Sequence, residues 1–360
     1  MSTQAYVNRI AVAVPDYDVH RFSIGFAASQ LADDPRRQAV FTRMAERSGI
    51  EHRYCCFPSA EDPNGPAVDG AGRFTRGHFP TTAQRMDLFA EAAPALAQKA
   101  VDRLELGADA AKITHLIVTT CTGLASPGID LELIERCGLS SSIERTIVGF
   151  MGCYAAVNAL KLAHHIVRSE PEARVLAVNI ELCTLHLKET TDIERLLTFI
   201  LWGDGCAAAL ITAEPTGIAL DSFRAIVAPD SRELMTWTVR NDGFDMVLSG
   251  QVPAAIHETL STRISDILGN RGLNNVDLWA VHPGGKSVLD AVERALSLEP
   301  EALMHSREVL RMNGNMSSAT VMFVLAEMMA KRQADQIGCG MAFGPGLTAE
   351  TMMFHTADAA

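Results

Sequence analysis

The sequence predicts a layered α/β fold, a mostly parallel sheet covered by helices, on three observations. Short apolar runs alternate with stretches of helical period along most of the chain. The chain has 360 residues, 48% of them hydrophobic, enough to bury a large core. A turn-rich break, Ala213-Glu214-Pro215-Thr216-Gly217, separates two stretches that repeat the alternation, so two similar parts are expected, 1–214 and 215–360.

Element by element, residues 8–15 read as a strand that stops at a proline. Residues 59–80 are rich in Gly, Pro, Asp and Asn and read as a long loop, and helical periodicity follows over 82–106. Strands are expected at 115–119, 146–150 and 174–180, with helices at 129–137 and 153–169 between them. After the break the pattern gives strands at 218–227, 278–282 and 337–343, and helices at 253–268, 286–296 and 315–331. Gly152-Cys153-Tyr154-Ala155 and Gly314-Asn315-Met316-Ser317 each place a glycine and a reactive side chain at the opening of a predicted helix. That likeness is the trace expected of an internal duplication.

Composition removes several classes of function. The formal net charge is −12, with 31 Lys and Arg against 43 Asp and Glu, the opposite of what non-specific nucleic-acid binding needs. A few local arginines still suffice for a small anionic ligand. No apolar run approaches the ~18 residues of a membrane span, and the apolar block at residues 10–14 is too short for a secretory signal, so a cytoplasmic protein is expected. The eight cysteines (55, 56, 121, 137, 153, 183, 206 and 339) include no CxxC pair, which leaves neither a disulfide framework nor a zinc site. No metal or cofactor is expected.

Three positions carry chemistry. Cys153 follows a predicted strand and Gly152 and opens a helix, where unpaired N–H groups and the macrodipole favour a thiolate. Most cysteines in such positions are buried structural residues, but this context also suits an acyl-accepting nucleophile. His282 closes the apolar run 278–281 ahead of Pro283-Gly284-Gly285, at the sheet edge where ligands bind in parallel α/β folds. It reads equally as a satisfied structural histidine or as a partner for the thiol and for a thioester oxygen. Asn315 stands at a predicted N-cap, where it either caps the helix or adds an amide donor to an oxyanion beside His282.

At these places the chain resembles the type III polyketide synthases, the chalcone-synthase-like family, through Gly152-Cys153-Tyr154, His282-Pro283-Gly284-Gly285 and Gly314-Asn315-Met316-Ser317-Ser318-Ala319. Trp202-Gly203-Asp204-Gly205-Cys206-Ala207-Ala208, Thr122-Gly123 with Pro127-Gly128, and Phe343-Gly344-Pro345-Gly346-Leu347-Thr348 extend the likeness in family order. The resemblance implies a thiolase-like five-layered αβαβα fold of two similar halves, a homodimer, and no metal or prosthetic group. It implies that Cys153 takes a starter acyl group from a CoA thioester. His282 and Asn315 would then stabilise the enolate left when malonyl-CoA loses CO₂, and the cycle repeats until the chain cyclises to a pyrone, resorcinol or phloroglucinol-type product.

The same resemblance assigns Arg43 and Arg47 to CoA phosphates, although Val40 stands where a third basic residue is usual and a solvated helix face reads equally well. It assigns Trp202 and Met246 to the gate of the CoA tunnel, in place of two phenylalanines, and Gly284, Gly285 and Pro345 to the substrate site. Cys121, Ser126, Cys183 and Thr184 fall at cavity-lining positions, with Ser126 on the loop that reaches the partner subunit. Ala342 replaces a loop glycine. Cys121-Thr122-Gly123 and Glu181-Leu182-Cys183 look like bacterial members, several of which accept fatty acyl starters, and an aliphatic starter is expected. Two alternatives stay open: a ketoacyl-carrier-protein synthase III-like enzyme, whose histidine motif normally reads His-Gln-Ala-Asn, and a non-catalytic acyl-CoA-binding protein of the same fold.

Overall fold

The computed structural model describes residues 3–357. In chain order its first part comprises β1 (Ala5–Ala13), β2 (Tyr17–Asp18), α1 (His20–Ser29), α2 (Pro35–Glu46), β3 (Tyr54–Cys55), α3 (Thr82–Asp102) and β4 (His115–Thr120). There follow α4 (Ile129–Arg136), β5 (Glu144–Gly149), α5 (Ala155–Ser169), β6 (Val175–Leu182), α6 (Ile193–Leu201) and β7 (Asp204–Thr212). Then come β8 (Ile218–Val227), β9 (Met235–Arg240), β10 (Gly243–Leu248), α7 (Val252–Leu268), β11 (Leu278–Val281) and α8 (Lys286–Leu296). The chain closes with α9 (Met304–Asn313), α10 (Ala319–Lys331), β12 (Ile337–Gly344) and β13 (Thr348–Thr356).

Nine strands join in the order β11-β12-β13-β8-β1-β7-β6-β4-β5. The sheet is mixed, which corrects the expectation of a mostly parallel one. Only β4–β5, β4–β6 and β11–β12 pair in parallel, each across a helical connection; the short turn between β12 and β13 forces an antiparallel pair. The periodic reading also passed over α1, α6, α9, β7, β13 and the β9–β10 hairpin.

Side-chain alternation turns this sheet into five layers. Along β6, Val175 and Ala177 enter the central core while Leu176, Val178 and Ile180 enter another. Along β12, Ala342 faces the central core and Met341 and Phe343 a third. The central core is built on α5 and α10, so these two helices lie between the arms of the sheet. α3 and α4 cover the outer face of the β1–β7 arm, and α7 and α8 cover the outer face of the β8–β13 arm. Every residue of β6 and β7 is buried, which explains why neither strand shows an apolar–polar alternation.

Leu160, on α5, is 0% exposed in that central layer. Leu160→Ala is expected to cost about 2–5 kcal/mol. Guanidinium unfolding measures it, and a loss below ~1 kcal/mol would contradict a close-packed middle layer.

Candidate active site

The turn after β5 is built for one side chain. Phe150 and Gly152 both take positive φ, at 57° and 78°, and the 3-10 turn Gly152–Tyr154 leads into α5. A Cβ at position 152 would run into the Pro345 ring, so only glycine lets the β12–β13 turn pack there. The Gly152 N–H donates to Cys121 Sγ at 3.0 Å. Cys153, the next residue, is 4% exposed.

His282 follows the last residue of β11, and its N–H donates to the Met341 carbonyl at 2.7 Å. Its imidazole is 1% exposed and neither ring nitrogen has a protein partner. Asn315 does not cap α10, which begins only at Ala319. Its side-chain carbonyl instead accepts the Ser317 N–H at 2.9 Å, and its amide donates to the Gly284 carbonyl at 3.1 Å. The backbone holds it against α6: Asn315 N–H donates to Leu201 O at 2.8 Å, and Gly203 N–H to Asn315 O at 2.9 Å. Those bonds set Trp202 beside Asn315.

Two spaces open from Cys153, and Trp202 and Met246 line both. His282, Gly284 and Asn315 line one; Cys121, Cys183 and Pro345 line the other. Beyond Cys183 and Trp202 lies a third, apolar pocket of about 70 Å³, walled by Phe22, Phe26, Phe57, Phe199 and Leu187, which Thr184 joins. The remaining expected residues stay apart. Arg43 and Arg47 are exposed on and just after α2, line none of these spaces, and form no ion pair among the described residues. Ser126 is exposed on its loop, and Gly285 packs on Leu201 behind Gly284.

The hairpin β9–β10 supplies Met235, Trp237 and Leu248, which the motifs missed, beside the expected Met246. Met246 pairs with Trp237 and Leu248 with Met235, so all four project from one face. That face closes over Cys153. The alternation in 235–239 and 244–248 was the available signal, weak because each strand is only 6 residues long.

Burial dominates the electrostatics. It pushes the Cys153 thiol up to about 12, opposed by hydrogen bonds from Ser317 and Asn315 and aided by the nearby Glu181 charge. It drives His282 down to about 3. The closed site therefore holds a neutral thiol and a neutral imidazole, not the thiolate expected from the helix terminus. Among the described residues, no group of three His, Cys, Asp or Glu is placed to hold a metal ion.

Glu181 is wholly buried near Cys153, taking hydrogen bonds from Ser318 Oγ at 2.6 Å, Cys121 N–H at 2.9 Å and Thr122 Oγ1 at 2.9 Å. Burial still lifts its carboxyl from 4.5 to about 7. A folded-state value above the unfolded one means stability present below about 4.5 and lost as pH rises through about 7. Glu181→Gln should therefore flatten the fall in Tm between about pH 4.5 and about pH 7. Thermal scans of both proteins at each pH check it, and equal falls would show that Glu181 does not titrate there.

Comparison with known proteins agrees with this geometry. Residues 3–215 match the chalcone and stilbene synthase N-terminal domain, and residues 220–358 the corresponding C-terminal domain. The chain is 33% identical to the alpha-pyrone synthesis polyketide synthase-like Pks18 of Mycobacterium tuberculosis, across 98% of this chain and 91% of that protein. It is also 33% identical to bisdemethoxycurcumin synthase of Oryza sativa subsp. japonica, across 88% and 82%. Among solved structures, the C-terminal type III polyketide synthase domain of Steely1 from Dictyostelium superposes with a TM-score of 0.89 at 25% identity, covering 99% of this chain and 100% of that one. PKS-I of the brown alga Ectocarpus siliculosus gives 0.88 at 27% identity, with 99% of each chain covered. A thiolase-like fold of stacked layers, a buried Cys, His and Asn around one closed space, and matches over almost the whole length agree: this chain belongs to the chalcone and stilbene synthase family, and is a type III polyketide synthase, an acyl-transferring condensing enzyme.

Proposed function

We propose that this chain condenses malonyl-CoA iteratively onto an aliphatic acyl-CoA starter held as a thioester on Cys153. The observation that carries the reading is the position of Cys153 between His282 and Asn315 on one side and an apolar chamber on the other. In loading, Cys153 Sγ attacks the thioester carbonyl and its proton passes to His282. The CoA–sulfur bond breaks and CoA leaves as the thiol with that proton. In extension, the carbon–carboxylate bond of malonyl-CoA breaks, CO₂ departs, and the electron pair moves onto the thioester oxygen. A neutral His282 N–H and the second amide hydrogen of Asn315 stabilise that oxygen, worth about 3 kcal/mol for one such donor. The enolate carbon then attacks the Cys153 thioester, the sulfur leaves, and the lengthened chain on CoA returns to Cys153.

Buried donors without protein partners support this assignment. The N–H of the neutral His282 imidazole and Trp202 Nε1–H are in that state, and an arriving substrate oxygen would satisfy them, while the other His282 nitrogen is left to accept a proton. The aromatic pocket beyond Cys183 supports an aliphatic starter, since its walls offer a flexible tail little but apolar contact. Arg43 and Arg47 keep their proposed role at the CoA phosphates, exposed at the surface and without an acidic partner among the described residues. The exposed edge of β5, with Ile147, and the neighbouring Leu124 and Met151, support a homodimer in which the Ser126 loop reaches the partner. Free thiols at Cys121, Cys153 and Cys183 support a reducing, cytoplasmic location. The division at residue 214 remains part of the same proposal.

Cys153→Ala should abolish the acyl-enzyme adduct, read by intact mass after incubation with acyl-CoA, while unfolding stays cooperative. Product at the wild-type rate from this variant would assign the nucleophile elsewhere. For the starter, each methylene buried in the aromatic pocket contributes about 0.8 kcal/mol, so kcat/KM should rise roughly fourfold per methylene until the pocket is full. A series of straight-chain acyl-CoAs measures this, with acetyl-CoA and an aromatic ester alongside. A flat or falling profile, or preference for the aromatic ester, removes the aliphatic reading.

A further inference from the structure

We propose that the outward face of α2 docks an acidic carrier protein, which delivers the starter on a phosphopantetheine arm; this rests on the acyl-accepting role of Cys153 proposed above. The chain is acidic overall, with a formal net charge of −12. Yet α2 and the residue after it hold Arg36, Arg37, Arg43 and Arg47, and the helix's single acid is Glu46. At about 100° of turn per residue, the four arginines fall within a sector of about 120°, with Val40 and Met44 between them and Glu46 outside it. All six side chains are exposed, Val40 at 49% and Met44 at 47%. The opposite side, through Phe41 and Ala45, is committed to a core shared with α1 and α6.

Among the described residues none of the four arginines forms an ion pair, and only Arg37 has a side-chain hydrogen bond, to the Thr191 carbonyl at 2.6 Å. The face also stands at the way in to the nucleophile. α2 packs on α6, whose last turn runs into Trp202, and the chain leaving α2 brings Gly49 against the Lys286 side chain, two residues beyond Gly284. Gly284 and Trp202 line the space that holds Cys153, His282 and Asn315. A CoA nucleotide would engage cations here. It gains nothing from an exposed Val40 and Met44, nor from Arg36, about three turns of helix from Arg47. An acidic protein surface with apolar side chains among its carboxylates matches both features. A bilayer matches them poorly, because the face carries no Trp, Phe or Leu to anchor it at a lipid interface. In the transfer, Cys153 Sγ bonds the acyl carbon as the bond from that carbon to the pantetheine sulfur breaks. The Cys153 proton passes through His282 to the departing pantetheine thiol, so no further reactant is consumed.

The test loads the full-length protein from three donors of one straight-chain acyl group: acyl-CoA, acyl-pantetheine, and a bacterial acyl carrier protein of net negative charge. Intact mass reads the rate of Cys153 adduct formation from each. Wild type should load from the carrier at least about tenfold faster than from acyl-pantetheine at equal concentration, and salt should shrink that advantage. Arg36→Glu and Met44→Glu should each cut loading from the carrier about tenfold and leave loading from acyl-CoA within about twofold. Both positions are exposed, and loading from acyl-CoA reports that each variant is folded. Wild-type loading from the carrier no faster than from acyl-pantetheine would overturn the proposal, as would variants that load from the carrier at the wild-type rate. So would binding to vesicles of mixed anionic and neutral phospholipid, lost in Arg36→Glu, with no carrier advantage, which would assign the face to a membrane. A failure of the underlying reading looks different: wild type would then form no Cys153 adduct from acyl-CoA either.

Discussion

The site depends on one constraint, the burial of α5 and α10 between the two arms of the sheet. Walled on both faces, each helix gives its packed positions to apolar side chains, while Asn158, Lys161, His165 and Arg168 of α5 keep some exposure. Ala156, Val157, Ala159, Leu160 and Ala163 on α5, and Val321, Met322, Val324 and Leu325 on α10, are essentially solvent-free. Polar chemistry is left to the ends, where the first N–H groups of each helix have no intrahelical partner. Cys153 precedes α5 and Asn315 to Ser318 precede α10, and both ends open on the same space. The juxtaposition of nucleophile and amide follows from how the central layer packs.

Holding those ends in register takes a second, polar device. Glu181, at the end of β6, accepts from Ser318 ahead of α10 and from Cys121 and Thr122 after β4. Cys121 in turn accepts the Gly152 N–H, one residue from the nucleophile. A single buried carboxyl thus connects the approach to both central helices. Its burial is expensive, which is why its proton is held to about neutral pH, and each bond it accepts offsets part of that cost. Position 317 shows the strain that remains: Ser317 is a non-glycine residue at φ 48°.

Much of this was legible in the sequence, and the gaps have physical causes. Cys153, His282 and Asn315 could be singled out because each follows a glycine or an apolar run at an element's end, which leaves a local trace, and the structure brings all three to one space. Helix α8 was placed to the residue by its strong 3.6 periodicity. β7 was missed because it is buried on both faces and carries no alternation to read. The sheet's mixed character was invisible for a related reason: parallel and antiparallel pairing depend on which strands become neighbours, not on the composition of either. Asn315 was placed at a predicted N-cap because a turn and a cap use the same residue type, and only the start of α10 at Ala319 separates them. Trp237 left no motif, since its place beside Cys153 arises from a hairpin folded over the site from 84 residues further along the chain, the separation between positions 153 and 237.

Dryness sets the chemistry of the site. The burial that neutralises Cys153 and His282 also lowers the local dielectric, so each donor aimed at a developing oxyanion acts more strongly than it would in water. A neutral imidazole suits this arrangement better than a charged one. On the proposed mechanism it would give a hydrogen bond to the enolate oxygen without an isolated buried cation in the resting protein, which no acid near His282 would balance: burial alone accounts for its depressed affinity for protons. The thiol then needs no permanent thiolate. On the proposed mechanism its proton would pass, when the thioester arrives, to the unpartnered imidazole that faces the same space. The neutral resting state and the reactive one differ by a single proton transfer, made within a site already closed to water.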